Sequence, residues 1–154
     1  MKQLSSVLTE LEMQIANKEK INIAISTSTV GWQINHCLIV INGVINQLQQ
    51  SDPEKFVAKF NFKRWLIFTT NHIPRGKANA PKHTNPQDEA TTLELNEKIA
   101  LAKKNCALLP TLQKNQFFKH PFFGDLNLKQ TTKFLNVHTF HHLKIIRDLV
   151  KNEL

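Results

Sequence analysis

Residues 128–153 read LKQTTKFLNVHTFHHLKIIRDLVKNE, and the periodicity of this stretch decides the fold class. Phe134, Leu135, His138, His142, Ile145 and Leu149 follow one another at the three- and four-residue steps of a single helical face. One long amphipathic helix, Leu128 to Glu153, is therefore expected. Its inward stripe carries imidazoles where aliphatic side chains would ordinarily stand. His138 and His142 are four residues apart, so one sits a turn above the other, and neutral imidazoles at that spacing can chelate one divalent ion. His141 lies three residues from His138 and stands as an alternative to His142 if the helix is rotated slightly.

Working outward, a second segment shows the same interruption. Trp32, Ile34, Leu38, Ile39, Ile41, Val44, Ile45 and Leu48 make residues 27–50 apolar around much of a helix, and His36 falls in their midst. Thr27 and Ser28 are candidate caps at its start, and Pro53 ends it, because proline cannot continue the hydrogen-bond ladder. A first helix is expected over Met1–Lys18 on the stripe Leu4, Val7 or Leu8, Leu11, Ile15. Leu95, Ile99, Ala102, Cys106 and Leu109 alternate four- and three-residue steps in a further helix that begins near Asn85 or Asp88 and stops at Pro110. An aromatic-rich stretch, Phe60–Asn71, reads as a short helix, with Trp32 and Trp65 both expected as core anchors. Residues 72–87 form a proline-bearing connection whose Pro74-Arg75-Gly76-Lys77 run is either a pocket mouth or a solvated link. Residues 112–127 form a second connection containing His120-Pro121-Phe122-Phe123-Gly124. No stretch alternates convincingly as a strand. The expectation is an all-α, four-helix bundle with a long crossover, forming a single domain over residues 1–154.

Composition excludes several classes. Four glycines among 154 residues, and neither nucleotide-binding glycine motif, argue against a phosphate-cradling loop. No apolar run approaches the roughly 18 residues of a membrane span, so no membrane partner is expected. The formal net charge of +8 permits anionic partners without requiring them, and the basic residues read as a solvated surface. Nucleic acid is accordingly disfavoured as a partner. Cys37 and Cys106 are isolated thiols on apolar stretches, which fits a reducing, cytoplasmic location.

The chemistry-bearing set is thus His36, His138 and His142 as metal ligands, against the alternative of hydrogen-bonded core histidines. Three imidazoles leave a coordination position open, and the ion can then acidify a bound water or thiol. Zinc or nickel is the first expectation for the ion, and iron or manganese is also compatible with imidazole. His120 and His141 are the candidate proton-transfer residues. The competing reading of His120 is a packed hydrophobic corner with Phe122 and Phe123. Asn35 and Asn136 are offset from the histidine faces and only weak candidates for orienting them.

At these residues the chain resembles the DinB-like superfamily of four-helix bundles, which includes bacillithiol transferases and mycothiol-dependent isomerases. The resemblance rests on Trp32-Gln33-Ile34-Asn35-His36, on His138-Thr139-Phe140-His141-His142, which is similar to an H-x-x-H-H motif, and on the His120–Leu126 run, which is similar to a branch without an assigned function. It implies a metal held by His36, His138 and His142, an up-down-down-up helix order, frequent homodimers, and transfer or isomerisation chemistry on a low-molecular-weight thiol. Leu143, Lys144 and Ile145 depart from the Arg and Gln that many relatives carry there, so no substrate-binding residue is implied. The functional expectation is a metal-dependent enzyme acting on a small molecule, a thiol-dependent S-transferase or a hydrolase. The alternative is a non-catalytic helical protein that binds a metal or a small molecule.

Overall fold

The computed structural model describes residues 4–76, 81 and 84–151. Four long helices make the bundle: α1 Leu4–Met13, α2 Val30–Gln50, α4 Thr92–Leu108 and α5 Leu128–Lys151, with the shorter α3, Phe62–Thr70, inside the α2–α4 crossover. Both α1 and α2 pack on α4 and on α5, so the sequence neighbours α1 and α2 face one another across the core. Leu8, Leu11, Ile34, Leu38, Ile41, Leu95, Ile99, Leu135 and Leu143 fill that core and are fully buried.

Side-chain pairs fix the helix directions. Asn35 accepts from Lys98 Nζ at 2.8 Å and Asn42 accepts from Asn105 at 2.9 Å, so α2 and α4 run parallel. His36 meets His138 while Gln33 meets His142, so α2 and α5 run antiparallel. Parallel neighbours need a long return connection, and residues 51–91 supply it.

Local chemistry explains the ends. Thr29, rather than Thr27 or Ser28, caps α2 by accepting from Trp32 N. α4 starts at Thr92, later than Asn85 or Asp88, because Thr91 and Glu94 form a reciprocal capping box that fixes the first turn there. Glu94 accepts from the Thr91 N–H and so satisfies a donor at the start of the helix. α1 is shorter than its periodicity suggests: it stops at Met13 and continues as a 3-10 turn over Ile15–Asn17. The expected ends at Met1 and Glu153 lie outside the described residues.

The all-α expectation needs one correction. Phe117–His120 (β1) and Gly124–Asn127 (β2) form an antiparallel hairpin, with His120 opposite Gly124. Its three-residue turn closes on Gly124 at φ 72°, a left-handed position that suits glycine. Alternation failed as a signal because adjacent Phe117 and Phe118 are both buried, Phe117 near Phe56 of the crossover and Phe118 against Phe134 of α5. With both faces covered, the polar half of the two-residue repeat disappears. Gln116 Nε2 donates to the Leu48 and Gln49 carbonyls, so the hairpin also satisfies the end of α2.

Candidate metal centre

α2 and α5 cross so that His36, His138 and His142 converge. One ring nitrogen from each lies within 4.8 Å of the others. His36 is buried, and the other two are mostly enclosed. The ring centroids are 5.1 Å apart for His36–His138, and 4.7 Å for both His36–His142 and His138–His142. Of the histidines on the last helix, it is the expected His138 and His142 that lie beside His36, and the alternative His141 does not join them.

Second partners set the ring orientations. His36 Nδ1 lies 2.7 Å from the Thr84 carbonyl, an acceptor, so Nδ1 carries the proton and Nε2 presents its lone pair inward. His142 Nδ1 lies 2.6 Å from Gln33 Oε1 and is likewise the donor, with the amide oriented because Gln33 Nε2 donates to Ser26 Oγ at 3.2 Å. His36 Nε2 and His138 Nε2 are 3.2 Å apart. Two imidazole nitrogens on one tetrahedral ion at ~2.0–2.1 Å are about 3.3 Å apart, so this pair already has the spacing of a shared ion. His138 Nδ1 is buried without a hydrogen-bond partner among the described residues.

The rings are kept neutral. Burial lowers the pKa of His36, partly opposed by the Thr84 hydrogen bond, and drives those of His138 and His142 well below the usual histidine value. Neutral imidazole is the ligating form, so burial prepares all three for a cation at neutral pH. Trp32 stacks on His36 at 5.1 Å and 9° between planes, and Phe134 lies 5.4 Å from His138, so the cluster has an apolar collar. Trp32 is thus a cover for the histidines, with Nε1 donating to the Pro86 carbonyl.

The other candidates fall outside the cluster. His141 packs edge-on to His142 at 5.1 Å and turns to a surface cavity of about 270 Å³ that it lines with Asn71, His72, Ile73, Arg75 and Lys144. Arg75 thus does reach a pocket mouth, although it is ion-paired to Asp148. His120 ends β1 rather than sitting in a free loop. Its Nδ1 accepts from the backbone N–H groups of Phe122 and Phe123, and its ring stacks on Phe123 at 4.2 Å. Phe134 stands between it and the cluster, 4.7 Å from His120 and 5.4 Å from His138. Asn35 is engaged by Lys98 and Asn136 by Thr132, so neither has an orienting contact with a histidine. Burial raises both thiols, Cys37 strongly and Cys106 to about 11, which removes them as neutral-pH nucleophiles.

Sequence reasoning missed Gln33 and Thr84. Gln33 is one turn before His36 on the same helix, a spacing that was available as a signal. Thr84 sits in the crossover, 48 residues from its partner, and no local pattern marks it. Gln33→Leu is expected to weaken metal affinity about 10–100-fold, and Gln33→Glu, which keeps an acceptor, to retain most of it. Competition with a chromogenic chelator reads both. Equal affinity in Gln33→Leu would remove the residue from the site.

Searched against family models, curated proteins and solved structures, the chain matches none. No helix among the described residues is long and apolar enough to cross a membrane.

Proposed function

We propose that this chain is a metal-dependent enzyme of the DinB-like kind, with a divalent ion held by the inward nitrogens of His36, His138 and His142. The observation that carries the reading is the convergence of three neutral imidazoles, two of them oriented by second partners, in one enclosed cluster. Parallel α2 and α4, the long crossover between them, and the ligand pair on the last helix support the superfamily assignment. A three-imidazole ion with an open position supplies Lewis acidity, lowering the pKa of a thiol or water bound beside it.

The chain's own residues would do the rest. Thr84 and Gln33 hold His36 and His142 in the ligating tautomer. Trp32 and Phe134 restrict water at the cluster, which strengthens any charge interaction within it. His141, between the cluster and the surface cavity, is the residue assigned to move a proton between substrate and solvent. His120 has only Nε2 free for that task, and the Phe134 ring separates it from the cluster. The substrate is a small molecule, with a low-molecular-weight thiol as the co-substrate, in an S-transfer or a hydrolysis. Zinc or nickel is the proposed ion and a homodimer the proposed assembly.

The deciding experiment is metal content of untagged protein beside a His138→Ala, His142→Ala double variant. About one equivalent in the parent and none in the variant is expected. Cobalt(II)-substituted protein should then change its visible spectrum on addition of a thiol. An unchanged spectrum would exclude a thiol from the open position and leave hydrolysis or simple metal binding.

A further inference from the structure

The crossover carries a feature that the histidine cluster does not use. From residue 55 to residue 87 the sequence holds seven lysines and arginines and not one aspartate or glutamate. Acidic residues return only at the ends of the crossover, at Asp52, Glu54, Asp88 and Glu89, so its middle is wholly basic. α3 lies within it and has no buried residue, although its sequence is largely apolar. Phe60 is 79% exposed, Phe62 62%, Trp65 51%, and Leu66 and the hairpin's Phe122 are exposed as well. Lys59 and Lys63 are exposed among them.

This apolar surface is held firmly. Asn61 caps α3 through Arg64 N and donates from Nδ2 to the Phe122 carbonyl at 3.0 Å. The Arg64 guanidinium donates to the carbonyls of Phe123 and Asp125 across the hairpin turn, and to that of Lys59. Phe68 packs edge-on to Phe123 behind the helix. Polar groups that could shield the face are thus spent on anchoring it, and the aromatic side chains are presented outward on a fixed platform.

We propose that this platform docks on an anionic lipid surface, with Phe60, Phe62 and Trp65 entering the headgroup–acyl boundary and Lys59 and Lys63 contacting lipid phosphates. Aromatic and aliphatic side chains flanked by lysines form the pattern of an interfacial helix. A second copy of the chain fits less well, because a two-fold contact through this face would set Lys59 and Lys63 against the same cations. Single-stranded nucleic acid also fits less well. Phe62 and Trp65 are stacked on each other at 5.6 Å, and Asn61 and Arg64, the groups suited to reading bases, are already bonded to backbone. The docking is peripheral and independent of the metal proposal.

Co-sedimentation of the full chain with vesicles of phosphatidylglycerol and phosphatidylcholine, beside vesicles of phosphatidylcholine alone, is the test. Binding is expected only with the anionic vesicles and should weaken as salt rises. Lys59→Gln with Lys63→Gln should reduce affinity about 25-fold, at about fivefold per lysine. Phe62→Ser with Trp65→Ser should abolish binding, and both pairs are exposed, so the melting temperature should stay near the parent's. Brominated acyl chains should quench Trp65 emission, an effect lost in Trp65→Phe while the Trp32 signal persists. Any of four results would overturn the proposal: no binding to anionic vesicles, equal binding by both variant pairs, binding of a single-stranded oligonucleotide in place of vesicles, or a dimer that dissociates in Phe62→Ser, Trp65→Ser.

Discussion

Saturating zinc or nickel should raise the melting temperature of chelator-treated protein by about 10 °C. An ion present at about a thousand times its dissociation constant stabilises the folded state by ~4 kcal/mol, and each kcal/mol moves the midpoint of a chain this size by about 2–4 °C. In His138→Leu the rise should vanish, since one of three converging nitrogens is gone. The same variant should melt close to the parent, or slightly above it, when both are in chelator. His138 Nδ1 is buried without a partner among the described residues, which costs about 1–3 kcal/mol, and leucine removes that group. The opposing loss is the contact between His138 and His36, worth ~1 kcal/mol. A purely structural histidine behaves in the opposite way. If chelated His138→Leu melted more than about 6 °C below the parent, a loss of about 2 kcal/mol, His138 would belong to the packing of the bundle and the metal reading would lose its central ligand. Differential scanning fluorimetry with and without metal gives all four values.

The second large effect is on the acid side of the stability profile. Burial lowers the pKa of His120 to about 4, from 6.5 in the unfolded chain. Below pH 6.5 the unfolded state therefore binds a proton that the folded state refuses. The stability associated with neutral His120 is complete above pH 6.5 and is lost as pH falls toward 4. The loss amounts to about 3 kcal/mol over that window. His36, His138 and His142 are depressed in the same direction, so metal-free protein should show a steep acid limb to which several protons contribute. His120→Asn isolates one of them. Asparagine can still accept from the Phe122 and Phe123 N–H groups through Oδ1 but does not titrate in this range. Urea unfolding of chelated protein at a series of pH values should show the variant losing about one proton's worth of slope between pH 6.5 and 4. An unchanged slope would mean that His120 is solvated and titrates normally. The same outcome bears on function, because a histidine with a pKa near 4 is a weak base at neutral pH and fits the packed hairpin corner better than a proton shuttle.

Much of the candidate centre was legible along the chain because helical geometry is local. Histidines at 138 and 142 share a face by the pitch of the helix alone, and His36 declared itself by interrupting an apolar run. Gln33 obeys the same local rule and could have been found one turn before His36. Thr84 could not, since a crossover loop meets α2 only after the bundle has closed. The hairpin was hidden for a related reason. Its strands are four residues long and β1 buries the adjacent Phe117 and Phe118 at the end away from the turn, so the two-residue repeat that marks a surface strand never develops. Trp65 failed in the opposite sense. Its apolar neighbours promised a core, but the bundle is already filled by α1, α2, α4 and α5, and α3 is left on the outside with Trp65 half exposed.

By itself the sequence determined the helical class, the inward stripes and the pairing of His36 with histidines of the last helix, all consequences of periodicity and residue chemistry. Tertiary structure decided the rest. It chose His142 over His141, because the rotation of α5 about its axis is set by how Leu135, Leu143 and Leu149 seat in the core. It set the two tautomers, because Thr84 and Gln33 reach the rings from other parts of the fold. It also left an aromatic helix on the outside, because a close-packed core already filled by the four long helices has no room for a fifth.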